Sequence, residues 1–468
     1  MQRRSAFKPN RGLPSTSESR ARAIAGDPAD QPVELRIEKL VYGGEGLAHH
    51  QGATVFVPYV LPGEQVTAEP IEQKRKFVRA RLKQVLEPSP QRIAARCPHF
   101  GVCGGCDYQQ IPYEAQLGYK AEILRETLRR LGKIDWSSHI KTHASQPWGY
   151  RNRAQWKIRP PASSASGGAS SSSFPKTLGI GYFRANSTQL CAVHDCPILA
   201  PVLLKTLLAL REALASGSLP RELREIEAFT PETPYGNDAR VLLTATFAGF
   251  PSRATEYAAK FREVLPELES LLFHDPTRDR MELFGPGFIE FSLGEYRYRV
   301  GHFSFFQVNR FLAADLAREV AGTDGGELAL DLFAGVGLFT IPLAKHFQRA
   351  IAVESNPAAA RDLEANARGH GSIEIRTAEV EEFLRRFKGT ADLVVLDPPR
   401  AGLPPGAAQR LAQIAPKRIT YVSCEPPTLA RDLAVLVGAG YEINSLHLFD
   451  LFPETFHMET AAQLSRTR

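Results

Sequence analysis

The 468-residue chain has no run of about 18 apolar residues, which excludes an ordinary membrane-spanning helix. It has only six cysteines, too few for a disulfide framework at this length. It has little excess charge: 57 Lys and Arg against 51 Asp and Glu leave a formal +6, which permits a nucleic-acid partner without requiring one. No internal repeat is visible, and the first residues lack the apolar core of a secretory leader. What remains is ordinary for a globular protein, with 43 % hydrophobic and 23 % charged residues. The length suits about two to four domains.

Four stretches differ in texture. Residues 1–31 carry Arg3, Arg4, Lys8, Arg11, Arg20 and Arg22 among Ser, Pro, Gly and Ala, and read as a disordered basic tail or, less simply, a targeting segment. Residues 32–90 hold short alternating runs punctuated by Gly43-Gly44 and Pro62-Gly63, the pattern of a small barrel of the oligonucleotide-binding type. In its last strand Phe77, Arg79, Arg81 and Lys83 fall on one face, where charge and an aromatic suit nucleic acid or simply guard a sheet edge. Residues 91–300 mix helical and strand patterns, with a helix over about 113–134 that packs on the C-terminal unit and a Ser/Gly/Ala hairpin tip at 162–173. From 301 to 468, strands and helices alternate as in a doubly wound parallel sheet, an α/β, Rossmann-like unit.

Asp331-Leu-Phe-Ala-Gly-Val-Gly337 sits where the first of these strands hands over to a helix expected at Phe339–Phe347. Gly335 and Gly337 let backbone approach a ligand, and Glu354 ends the next strand, where an acid binds ribose hydroxyls. The third glycine of a nicotinamide-nucleotide site is Thr340 here. Acids at Asp331, Glu354 and Asp397 instead suit S-adenosylmethionine, whose sulfonium is a cation. Asp397-Pro-Pro-Arg400 is a rigid loop at the same edge; amine-methylating enzymes use a related motif with an aromatic in place of Arg400.

Cys424 follows another strand and precedes Pro426-Pro427 and a new helix over Thr428–Val437, whose N-terminal dipole is expected to lower its pKa. A thiolate beside a methyl donor has a specific use. Its addition to C6 of uracil makes C5 nucleophilic, and a base must then remove the C5 proton. Glu459, on a last strand able to return to that edge, is the candidate base. Upstream, Cys97-Pro-His-Phe-Gly-Val-Cys103-Gly-Gly-Cys106 has the tight spacing of metal ligands, for an iron–sulfur cluster or for zinc.

Ser423-Cys424-Glu-Pro426-Pro-Thr428-Leu-Ala-Arg431-Asp432, Asp397-Pro-Pro-Arg400-Ala-Gly402, Phe306-Gln307-Val308-Asn309 and Asp331-Leu-Phe-Ala-Gly335-Val-Gly337-Leu-Phe339-Thr340 together resemble the RNA uracil-C5 methyltransferase family. The likeness runs from about residue 33 to the end, and to members with an N-terminal TRAM domain and an iron–sulfur cluster acting on 23S rRNA. It implies Cys424 as nucleophile, Glu459 as base, and Gln307, Phe333, Glu354 and Asp397 around S-adenosylmethionine. It also implies a [4Fe–4S] cluster on Cys97, Cys103, Cys106 and one of Cys191 or Cys196, with Cys196-Pro-Ile-Leu matching the family phrase. RNA is the implied partner, ribosomal before transfer RNA; no membrane or obligate protein partner is called for, and the cytoplasm is the expected location. Glu425 departs from the family's usual asparagine, and its carboxylate is expected to oppose thiolate formation. Two other readings are an exocyclic-amine methyltransferase working through Asp397-Pro-Pro, and a cluster-bearing RNA-binding sensor without catalysis.

Overall fold

The computed structural model describes residues 31–159, 178–233 and 239–467, so the basic tail and the 162–173 hairpin tip lie outside the described residues. No described helix is long and apolar enough to cross a membrane.

Six short strands between Val33 and Glu87 form one mixed sheet, in the order first, fifth, sixth, fourth, third, second. Their alternation puts Leu35, Val55, Val57, Val66, Ala68 and Ala80 into one small core. The last strand, Phe77–Glu87, points Arg79, Arg81 and Lys83 the other way. Those charges are not a bare cationic track. Glu69 takes both Arg81 and Lys83, and Arg79 pairs with Glu45 and Glu72. Cross-strand pairing explains the difference: the adjacent strand Gln65–Gln73 supplies Glu69 and Glu72, and the strand Glu45–His50 supplies Glu45.

A second, mostly antiparallel sheet has seven strands between Arg153 and Phe284, against which the helices Pro201–Ala215 and Ala254–Val264 pack. The hairpin Phe288–Leu293 with Tyr296–Gly301 leads on to the third sheet.

That third sheet has eight strands. Ile373–Thr377, Phe347–Glu354, Gly326–Leu332, Leu393–Leu396 and Arg418–Ser423 run parallel; then come Glu459–Arg466, Tyr441–Phe449 and Ile140–His143. Alternate residues feed opposite cores. Leu330, Leu332, Val394, Leu396 and Tyr421 join one cluster, and Ala329, Leu393, Val395 and Val422 the other. Burial on both faces is why these strands read as unbroken apolar runs.

Two features depart from the sequence reading. The sheet is not purely parallel: Glu459–Arg466 runs antiparallel to both neighbours. Its connection, residues 450–458, is too short for the dozen or so residues a parallel crossover requires. The sheet also recruits chain from before residue 301. Ile140–His143 is its outer strand, which the sequence reading does not place there; helix Tyr113–Thr127, which that reading sets against this unit, adds Ile123 and Leu124 to its core. His143 holds that edge by stacking on Phe449, with centroids 3.9 Å apart, and by a 3.1 Å hydrogen bond to His447 Nδ1. His447 faces Glu319 with its other nitrogen, at 3.4 Å.

Lys120, on the helix, forms a fully buried 2.7 Å ion pair with Asp450, just beyond Tyr441–Phe449. Removing one partner leaves the other charge buried and unpaired, so Lys120→Met is expected to destabilise the protein by about 3–5 kcal/mol. Denaturant unfolding checks this; a loss under about 1 kcal/mol would mean that the pair is not a structural lock.

Candidate active site

Parallel strands deliver their C-terminal ends to one edge, and that edge carries the acids and the thiol. Asp331 is the penultimate residue of Gly326–Leu332, and Glu354 is the last of Phe347–Glu354. Asp397 follows Leu393–Leu396, and Cys424 follows Arg418–Ser423. The antiparallel strand starts where its neighbour stops. Ser423 faces Thr460, so the next pair outward is Cys424 and Glu459.

The first turn is built for close approach. Phe333, Gly335 and Gly337 all have positive φ, and a Cβ on Gly337 would lie 2.7 Å from Leu363. The Gly335 N–H donates to Glu354 Oε2 at 2.7 Å and the Asn356 N–H to Oε1 at 2.6 Å, which fixes the ribose-type acid against the turn. Thr340, where a nicotinamide site would have glycine, donates its hydroxyl to Asp331 Oδ2 at 2.5 Å. The helix it opens is only Thr340–Leu343, because Phe347 already begins the next strand. Asp331 Oδ1 is buried without a partner. Burial, with Glu354 adding, pushes the Asp331 carboxyl up to about 7; burial and Asp331 push Asp397 up as well.

Arg400 was weighed in the sequence only as evidence against an amine methyltransferase. The structure gives it a place. The helix Pro426–Gly438 clamps the loop after Asp397-Pro-Pro: Thr428 Oγ1 donates to the Arg400 carbonyl, Arg431 to those of Ala401 and Leu403, and the Leu403 N–H to Asp432 Oδ2. Gly402, at φ 75°, has no room for a Cβ, which would sit 2.6 Å from Arg431. The clamp holds the Arg400 guanidinium beside Cys424 and Glu459.

The expected depression of the Cys424 pKa is not found. Burial, then Glu459, push this thiol up to about 12, against the pull of Arg400. Glu459 is buried, with Oε1 unpartnered, and burial and Asp397 raise its pKa well above the usual carboxylate range. At this edge Glu459 and Asp397 thus oppose ionisation of Cys424, and Arg400 favours it.

Gln307 is buried on the segment before helix Ala313–Ala321, and makes no side-chain hydrogen bond within the described residues. Its neighbour Asn309 is a pin: it donates to Ser145 Oγ and the Leu451 carbonyl, and accepts from the N–H groups of Phe311 and Leu312. The motif therefore ties three chain segments together.

Cys97, Cys103, Cys106 and Cys196 line one cavity of about 230 Å³, with Gln109, Arg151, Tyr182, Arg400 and His457. Cys191, on the strand Leu190–Ala192, is buried but absent from that lining. His99 Nε2 accepts from the His194 N–H at 3.3 Å, which links the segments that carry Cys97 and Cys196.

The family model for tRNA (uracil-5-)-methyltransferases matches residues 289–467. The 23S rRNA (uracil(1939)-C(5))-methyltransferase RlmD of Klebsiella pneumoniae is 34 % identical, over 93 % of this chain and 96 % of its own. That of Alkalilimnicola ehrlichii is 32 % identical, over 93 % and 97 %. Among solved structures, the Pyrococcus abyssi tRNA (uracil-54, C5)-methyltransferase in complex with S-adenosyl-L-homocysteine superposes with a TM-score of 0.69 at 25 % identity, covering 92 % of this chain and all of its own. With relatives above 30 % identical matched over nearly their whole length, and a cysteine and a buried carboxyl on facing strand ends, the chain belongs to the RNA uracil-C5 methyltransferase family.

Proposed function

We propose that the protein transfers a methyl group from S-adenosylmethionine to C5 of a uridine in structured RNA, with 23S rRNA as the substrate. The register that sets Cys424 beside Glu459 carries this reading. The ribosomal assignment follows the sequence relatives named above; a transfer-RNA uridine is the second reading, favoured by the family model and the superposed structure.

The residues present fit the cofactor. The unpartnered Asp331 Oδ1 and the acids Glu354 and Asp397 offer acceptors for ribose hydroxyls and a field suited to a cation. When bound, S-adenosylmethionine supplies an electrophilic methyl group on a sulfonium. Gln307 and the Phe333 turn complete its surroundings. The target base must leave its stack to reach this edge. Arg400 favours the thiolate of Cys424, which adds to uracil C6 and pushes the C5=C6 electron pair onto the C4 carbonyl. The enolate C5 then takes the methyl group, leaving a neutral thioether. Glu459 removes the C5 proton; the C5=C6 double bond re-forms and Cys424 is expelled as thiolate. Burial makes Glu459 a stronger base than an exposed carboxylate once ionised. Arg400 acts on the thiol, at the position where an amine-methylating motif carries an aromatic.

The cysteine cavity fits an iron–sulfur cluster better than zinc. A tetrahedral zinc at about 2.3 Å from each sulfur would bring the thiols within about 4 Å of one another. No three of these sulfurs lie within 4.8 Å of each other, so the cavity is set for a larger group. We assign Cys97, Cys103, Cys106 and Cys196 as its ligands, in a structural role, since methyl transfer requires no electrons. The six-stranded N-terminal sheet is read as the TRAM-like RNA-binding unit.

Three outcomes test this. Cys424→Ala should lose methylation of uridine-containing RNA by a factor of at least about 10³, while Glu459→Gln accumulates a covalent protein–RNA adduct, seen as a band shift on denaturing gels. Retained methylation in Cys424→Ala would refute the covalent route. Cys196→Ser should lose bound iron in elemental analysis, whereas Cys191→Ser keeps it; the reverse pattern would exchange the assignments. Asp331→Asn should raise the thermal midpoint of the cofactor-free protein at pH 8 and weaken S-adenosylmethionine binding at least about 10-fold by calorimetry. The sign follows from linkage: a carboxyl whose folded pKa is raised to about 7 costs stability as pH rises from its unfolded value through 7.

A further inference from the structure

Glu425 places a carboxylate next in the chain to the proposed nucleophile. The charges acting most strongly on Cys424 are nevertheless Glu459, Arg400 and Asp397, and Glu425 is not among them. The reason lies in another sheet. The hydroxyl of Tyr42, in the first turn of the N-terminal sheet, donates to Glu425 Oε2 at 2.8 Å, across 383 residues of sequence.

We propose, resting on Cys424 as the nucleophile, that Tyr42 is a positioning residue for it: Tyr42 holds the Glu425 carboxylate off the thiol, so that a reactive thiolate depends on the N-terminal sheet being docked.

The geometry leaves Glu425 one choice. Its backbone is fixed as the residue before the helix, its carbonyl taken by the Leu429 N–H at 3.1 Å and Thr428 Oγ1 at 3.0 Å, its N–H by Ser423 Oγ at 3.1 Å. Only the side chain is free to turn toward Cys424 or away. A carboxylate within about 4–6 Å of a thiol disfavours the thiolate, and the site already holds Glu459 and Asp397 against a single Arg400.

Tyr42 is itself held on the catalytic side. Its ring meets Phe456 edge-on, with centroids 5.4 Å apart, three residues before Glu459. Two residues further on, Gly44 approaches so closely that a Cβ there would lie 3.1 Å from both Asp107 and Phe456. The N–H groups of Asp107 and Tyr108 donate to the Glu454 carbonyl, both at 3.0 Å, which ties the cysteine-bearing segment to the same loop. Burial and Glu425 raise the Tyr42 hydroxyl above its usual range, so it remains a donor wherever the enzyme works.

The test uses the full-length, cluster-loaded protein with S-adenosylmethionine and RNA carrying 5-fluorouridine, whose C5 fluorine cannot be removed as a proton, so the adduct persists. The rate of adduct formation is followed against pH for the wild type, Tyr42→Phe, Glu425→Gln and the double variant. Tyr42→Phe keeps the ring on Phe456 and removes only the donor. It should shift the alkaline rise of the rate by about one pH unit, slow adduct formation about 10-fold at neutral pH, and leave RNA affinity within about two-fold. Adding Glu425→Gln should restore the wild-type profile, because the amide carries no charge to repel the thiolate. An unshifted profile in Tyr42→Phe, a loss of RNA affinity as its sole effect, or failure of Glu425→Gln to rescue would each overturn the proposal while leaving Cys424 as nucleophile. A wild type that forms no adduct would overturn both.

Discussion

The pairing of the last strand against Arg418–Ser423 is the constraint on which the site depends. In a purely parallel sheet, every strand reaches the ligand edge with its C-terminal end, and only chain leaving a strand can contribute there. An antiparallel strand inserted beside Cys424 brings its first residue to that edge instead. Because Ser423 faces Thr460, the residue beyond each is its partner's neighbour, and Cys424 meets Glu459. A slip of one residue would turn Glu459 to the opposite face of the sheet. Ala462 and Leu464 feed one core and Ala461 the other, so the strand is packed on both faces. The pairing of Cys424 with Glu459 thus follows from the register of the two strands.

Once that register crowds acids together, the charge balance of the edge follows. Asp331 and Glu459 are buried and Asp397 half-buried, each raised by desolvation, and Asp331 and Glu459 each keep one oxygen unpartnered. Such a group is costly in the cofactor-free protein and is relieved by a bound cation or by hydroxyl donors. The stability given up by these carboxyls becomes affinity and basicity when the site fills. Arg400 is the fixed counter-charge, and its loop is bound to the helix after Cys424 through Thr428, Arg431 and Asp432. The sequence phrase running from Cys424 to Asp432 is therefore a clamp on a second loop as much as a nucleophile motif.

Much of this was legible in the sequence because the relevant signals are local. A glycine turn after an apolar strand, an acid about 20 residues on, and three cysteines within ten residues each announce their chemistry by spacing. What the sequence could not show is what topology brings from far away. Ile140–His143 looks like an isolated short strand, yet it closes the catalytic sheet 300 residues from its partner. Arg79, Arg81 and Lys83 read as free cations because their carboxylate partners lie on neighbouring strands. The thiol of Cys424 reads as activated by its helix, because the burial and the carboxyls that oppose activation come from other elements. Glu425 reads as a hazard to catalysis for the same reason: the hydroxyl that restrains it belongs to Tyr42.

The two cysteine sites also meet through one side chain. Arg400 stands beside Cys424 and at the same time lines the cavity of Cys97, Cys103, Cys106 and Cys196, together with His457. The loop 452–457 forms the wall between them, with Phe452, Thr455 and His457 on the cavity and Phe456 against Tyr42. That loop leads directly into Glu459. Whatever fills the cavity therefore sets the shape of a wall whose other end carries the base, and the N-terminal sheet rests on the same wall through Gly44 and Phe456. One short loop thus joins the cysteine cavity, the Cys424–Glu459 edge and the N-terminal sheet, so a change at any of the three is felt at the other two.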